Sequence, residues 1–103
     1  MSRYIVAVPD NERGHLWWLE WSTVVDAPIT SAMQWRNFKV YYRNEYGNNG
    51  LAELPRRLRR VAETGCSAGI ETLQELSQFN RAGPEETHEP DLLKWCREHA
   101  EEN

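Results

Sequence analysis

The stretch HLWWLEW, residues 15–21, sets three tryptophans within five positions of a 103-residue chain. Read as a β-strand, its side chains alternate between two faces. The odd positions His15, Trp17, Leu19, Trp21, Thr23 and Val25 form one nearly continuous apolar face. The even positions Leu16, Trp18, Glu20, Ser22 and Val24 form a mixed one. Trp17, Leu19 and Trp21 are therefore expected to roof a core, and Trp18 is expected to face the other way, beside Glu20 and Ser22.

Tyr4-Ile5-Val6-Ala7-Val8 is a short run rich in β-branched residues, ended by Pro9. Asp10-Asn11-Glu12-Arg13-Gly14 then reads as a polar turn. Residues 3–25 are thus expected to form an antiparallel β-hairpin. An isolated hairpin is marginal in water and exposes two unpaired edges. Homodimerisation, or capture of a partner strand, would satisfy them.

Beyond Asp26-Ala27-Pro28 the period changes. Ser31 and Gln34 have the spacing of a capping box. Trp35, Phe38, Tyr42 and Tyr46 follow at helical spacing, and Gly47 closes the segment, so residues 32–46 read as a helix; a third strand over 36–42 is the competing assignment. Gly47-Asn48-Asn49-Gly50 reads as a turn. Leu51, Leu54, Leu58 and Val61 mark a second helical segment, with Pro55 taken as the first position of the helix proper. Ser67 is expected to cap a third helix carrying Ile70, Leu73, Leu76 and Phe79 and stopping at Gly83-Pro84. Residues 83–89 read as an acidic linker, and 90–100 as a short last helix. The fold class is α+β, an N-terminal antiparallel hairpin packed on three or four short helices. One domain spans 1–103, with its helical part over 31–82.

Composition narrows the function. Hydrophobic residues make up 40% of the chain and charged residues 27%, an ordinary globular balance. The net charge of −4 opposes a whole-surface attraction to nucleic acid or anionic lipid. No apolar run reaches the roughly 20 residues that span a bilayer, and Met1-Ser2-Arg3-Tyr4 lacks the layout of a secretory signal. A cytoplasmic protein with no membrane partner is expected. Cys66 and Cys96 then read as small buried hydrophobes rather than a disulfide.

Five features of the sequence bear on chemistry. Cys96 and His99 share a helical face, but Cys66 and His88 are scattered and no paired CxxC is present, so no metal is expected. The same residues would form a Cys–His nucleophilic pair only with an orienting acid that no local pattern supplies. No G-x-S-x-G, HExxH or P-loop pattern occurs, and neither a cofactor nor enzymatic activity is expected. The run RRLRR, residues 56–60, followed by Gly65 and Ser67, faintly resembles a helix-turn-helix. Its recognition helix would carry Glu71, Gln74, Glu75 and Gln78, which oppose phosphate approach. The aromatic surplus is the fifth. Trp18 and Tyr41, with Trp35 or Tyr42, exceed what one core face holds, and exposed aromatics near arginines have a hot-spot composition.

The stretches RYIVAVPDNERGHLWWLEW, VYYRNEYG and FNRAGP resemble the short uncharacterised accessory proteins of tailed bacteriophages from high-GC hosts. The resemblance implies no fold and no catalytic residue. It implies a small protein made during infection, in the host cytoplasm, that binds and modulates a host or phage factor. The leading expectation is a non-enzymatic protein-interaction module, acting through Trp18, Tyr41, Arg56, Arg57, Arg59 and Arg60 and through a β edge. The alternative is a DNA-binding regulator using a degenerate helix-turn-helix at 56–81.

Overall fold

The computed structural model describes residues 3–67, 72–83 and 89–101. It is α+β: β1 (Arg3–Asp10) and β2 (His15–Ser22) form the N-terminal antiparallel hairpin, and β3 (Ala27–Pro28) adds a short third strand in the order β1-β2-β3. A long α1 (Trp35–Thr64), α2 (Leu73–Gln78) and α3 (Leu92–Glu98) follow. The hairpin pairs Tyr4 with Trp21, Val6 with Leu19 and Val8 with Trp17, and on the other face Ile5 with Glu20 and Ala7 with Trp18.

That register gives the sheet two apolar faces. Val6, Val8, Trp17, Leu19 and Trp21 pack with Cys66 and with Leu76, Leu92, Trp95 and Cys96 of α2 and α3. Ile5 and Ala7 pack with Met33 and with Phe38, Tyr42, Leu54 and Val61, four residues of α1. The hairpin is thus the middle of three layers. The expected strand pattern holds through Trp21, but the hairpin stops short of residue 25: Val24 and Val25 lie exposed in the turn toward β3.

Both hairpin edges are closed, contrary to the expectation of unpaired ones. Along β1, the Ala7 amide donates to the Gly65 carbonyl, the Ser67 amide to the Ile5 carbonyl, and the Ile5 amide to the Ser67 hydroxyl. Pro9 has no N–H to offer. Along β2, Trp18 and Met33 exchange both backbone bonds, and the Glu20 amide donates to Thr30 Oγ1. The chain leaving α3 then pairs with Ala32, which donates to the His99 carbonyl and accepts from the Glu101 amide. The edge amides of Ile5, Ala7, Trp18 and Glu20, which strand addition or edge-to-edge dimerisation would use, are thus engaged within the chain.

The helical segments correct several expectations. A straight 30-residue helix would be about 45 Å long, yet the longest dimension of the protein is 36 Å. Gly47, with φ 65° and ψ −158°, breaks α1 into two limbs, 35–46 and 48–64. The second limb folds back on the first: Arg57 reaches Tyr42, and Leu51 lines a groove with Trp35. The expected turn over 47–50 is compressed into this one residue, and Pro55 lies inside the second limb rather than at its start. Residues 36–42 are helix, not a third strand. Gln34 occupies the N-cap with no side-chain bond, and Ser31 bonds Glu101 instead of capping.

Gly65 ends α1 at φ 83°, its N–H donating to the Val61 carbonyl, and this left-handed cap turns the chain onto the β1 edge. Ser67 is buried at that edge, its hydroxyl accepting from the Ile5 amide, and it is not the cap of the helix that carries Leu73 and Leu76. The cap of α2 is Thr72, in a reciprocal capping box with Glu75. α2 ends at Gln78, well before Gly83, and Phe79 is exposed instead of joining the apolar stripe. Ile70 and residues 84–88 of the expected linker lie outside the described residues. The last helix is shorter than 90–100, with Asp91 accepting from the Lys94 amide at its cap.

Because Gly47 holds a backbone conformation essentially restricted to glycine, Gly47→Ala is expected to cost about 1–3 kcal/mol. Asn48→Ala, one residue on in exposed helix, should stay within about 0.5 kcal/mol. Urea midpoints of the two variants check the fold-back of α1; equal midpoints would contradict it.

Candidate functional site

The six residues expected to meet a partner do not form one patch. Trp18 is half-buried beneath α1, its ring 4.8 Å from that of Trp35 and 6.0 Å from Phe38. It packs on α1 while remaining partly exposed. The Tyr41 hydroxyl donates to Glu20 Oε1 at 2.6 Å, and the Tyr46 hydroxyl donates to Oε2 at 2.5 Å while accepting from Arg3 Nη1. Glu20 itself is fully buried. Burial and this bond to Glu20 push the Tyr41 phenol far above its ordinary range.

The arginine run divides. Arg57 is buried against the sheet, where Nη1 donates to the Tyr42 hydroxyl at 2.6 Å and Nη2 to the Arg3 carbonyl at 2.7 Å. This corrects its assignment to a partner surface. Arg56, Arg59 and Arg60 are exposed and have no ion-pair partner among the described residues. Residues 68–71 of the expected helix-turn-helix over 56–81 lie outside the described residues, and the described parts on either side do not form a helix pair. The segment after Gly65 pairs with β1, and α2 packs on the sheet face opposite α1.

The buried ionisable groups are committed to the fold. Asp10 accepts from Arg97 at 2.7 and 3.0 Å, from Trp17 Nε1 at 2.9 Å and from the Arg13 amide. The Arg97 hydrogen bond, with help from Trp17, holds its carboxyl far below the usual range. Burial, then the nearby Asp10 charge, pushes the Cys96 thiol up to about 12, the opposite of an activated thiolate. His99 stacks on Trp95 with its Nδ1 2.9 Å from the Trp95 carbonyl. His88 lies outside the described residues, and no group of three metal-ligating side chains occurs among the described ones.

A different surface brings apolar and charged groups together. α1 carries seven of the chain's twelve Lys and Arg but three of its sixteen Asp and Glu, a net +4 within a chain of net −4. Phe38 and Tyr42 turn the inner side of the first limb to the sheet. Arg36, Lys39, Val40 and Arg43 consequently face out. With Trp35 and with Leu51 from the second limb, they line a groove of about 560 Å³. The three cations have no ion-pair partner among the described residues. A second depression of about 500 Å³ shares Val40 and runs past Tyr41 toward Ile29 and Met33.

The helical period that assigned Trp35, Phe38 and Tyr42 to the core leaves 36, 39, 40 and 43 on the outer stripe. That signal lies in the sequence itself, though its spaced cations are less conspicuous than the contiguous run at 56–60. Leu51 could not be added without knowing that the limbs fold together. Comparison of the chain with protein-family models, with curated proteins and with solved structures finds no match.

Adjacent arginines of the run should behave in opposite ways. Removing Arg57 strands the groups it bonds inside the α1–sheet interface, so Arg57→Ala is expected to cost about 1.5–3 kcal/mol. Arg56→Ala should lie within about 0.5 kcal/mol of the parent. Denaturant titration of both variants checks this, and equal losses would contradict the division.

Proposed function

We propose that this chain is a non-enzymatic protein-interaction module whose contact surface is the outer side of α1, around Trp35, Val40 and Leu51. The observation that carries the reading is the groove these residues form beneath Arg36, Lys39 and Arg43, on a helix that is basic within an acidic chain. Cations with no ion-pair partner among the described residues, bordering an aromatic and two aliphatic side chains, match the composition of protein-binding hot spots. The surface differs from the Trp18-centred one expected from the sequence but retains its ingredients, aromatic area beside arginines.

The commitment of Asp10, Glu20 and Cys96 to internal contacts supports a binding role over catalysis. A general acid or base must reach a substrate proton, and a nucleophile must be accessible. The resemblance to phage accessory proteins makes a host or phage protein the first partner to seek. Nucleic acid is the second reading, favoured by the exposed Arg56, Arg59 and Arg60 on the same helical layer.

A photo-crosslinking residue at Val40, compared with one at Gln78 in the opposite helical layer, tests the reading in extracts of the cells that make the protein. A protein adduct is expected from Val40 and not from Gln78, insensitive to nuclease. A nuclease-sensitive adduct, the same adduct from both positions, or no adduct from Val40 would overturn it.

A further inference from the structure

We infer that the α1 groove takes an acidic amphipathic helix from the partner protein; the inference rests on the interaction-module reading above and names the chemistry of its occupant. Three features converge on it. The groove lies where the two limbs of α1 approach, with Trp35 and Val40 from one and Leu51 from the other. Such a trough between helices accepts the apolar stripe of a third helix, with anchors at i, i+3 or i+4, and i+7.

The charges set the sign of the occupant. Arg36, Lys39 and Arg43 lie three and four residues apart on one stripe of the first limb. They span about 10.5 Å along the helix axis. Carboxylates at i, i+3 or i+4, and i+7 of an approaching helix repeat that spacing. The cations are exposed and unpaired among the described residues. Pairing them therefore breaks no ion pair among the described residues.

The apolar lining favours protein over nucleic acid. Val40 is 44% exposed in the middle of the cation stripe. An aliphatic anchor there is covered by a leucine or phenylalanine side chain, whereas a phosphate backbone would leave it wet or desolvate against it. Glu45, Glu53 and Glu63, all exposed on the same helix, further oppose a continuous polyanion. A short helix with acids confined to one flank reaches Arg36–Arg43 without meeting them.

The test is fluorescence anisotropy with a labelled synthetic helix of two heptads, carrying leucines on one stripe and glutamates at i, i+3 and i+7 beside it. The full chain is expected to bind it. R36E/K39E/R43E should lose at least about tenfold in affinity, and that variant should gain a peptide with lysine in place of each glutamate. Val40→Asp should weaken binding as well, with the urea midpoint of the fold unchanged because the position is exposed. A scrambled peptide of the same composition should bind weakly. No binding of the patterned helix, equal binding of the scrambled one, unchanged affinity in the charge-reversed variant, or preferential binding of a 20-base-pair DNA duplex would overturn the inference. If the Val40 crosslink captures a protein while the acidic helix does not bind, the occupant is wrong and the module stands; if neither succeeds, both fall.

Discussion

The register of one hairpin governs the rest of the molecule. Pairing Val8 with Trp17, Val6 with Leu19 and Tyr4 with Trp21 sends those side chains to one face, and necessarily sends Ile5, Ala7, Trp18 and Glu20 to the other. A shift by one residue would exchange the two sets. Both faces are largely apolar, so neither can be left to water. Fully covering one tryptophan removes roughly 150–250 Å² from solvent, and Trp17 and Trp21 are both buried under α2 and α3. The other face takes the folded-back α1. Three layers follow from an alternation written in eight residues.

The polar groups drawn into these layers lock their relative placement. Glu20 sits on the α1 side of the sheet and is met by two phenols, Tyr41 and Tyr46, from the first limb. Arg57 descends from the second limb to Tyr42, Ser67 and the Arg3 carbonyl, which ties both limbs to β1 and to the strand-like segment beside it. On the far side, Asp10 at the end of β1 holds Arg97 at the end of α3. A buried charge without its partners costs several kcal/mol. Sliding either helical layer by one turn would strip these groups of their bonds.

Much of this was legible because it is local. The alternation of 15–21 and the 3.6-residue spacing of Trp35, Phe38 and Tyr42 identify strand and helix and the inward side of each. What was not legible depends on contacts between distant segments. The closure of the β1 edge needs Gly65 and Ser67, sixty residues away, and no pattern near Ile5 announces them. The burial of Arg57 is invisible within RRLRR, since neighbours in sequence on a helix point in different directions and only the fold-back at Gly47 decides which meets the sheet. Alternation alone turns Trp18 away from Trp17 and Trp21. Which helix covers it depends on the fold-back of α1, a contact between distant segments that strand spacing does not encode.

With both faces covered and the edge amides of Ile5, Ala7, Trp18 and Glu20 engaged, the hairpin has little left to offer a partner, whereas the outer side of α1 sets exposed Val40 among cations that have no ion-pair partner among the described residues. The central claim is therefore the closure of the hairpin, and amide hydrogen exchange tests it most directly. The outward-pointing amides of Ile5, Ala7 and Trp18 should exchange only on global unfolding, as slowly as the amides bonded between β1 and β2. Exchange of these three at rates close to those of the exposed turn at residues 11–13 would contradict it, and would return the strand edges to the position of candidate binding surface.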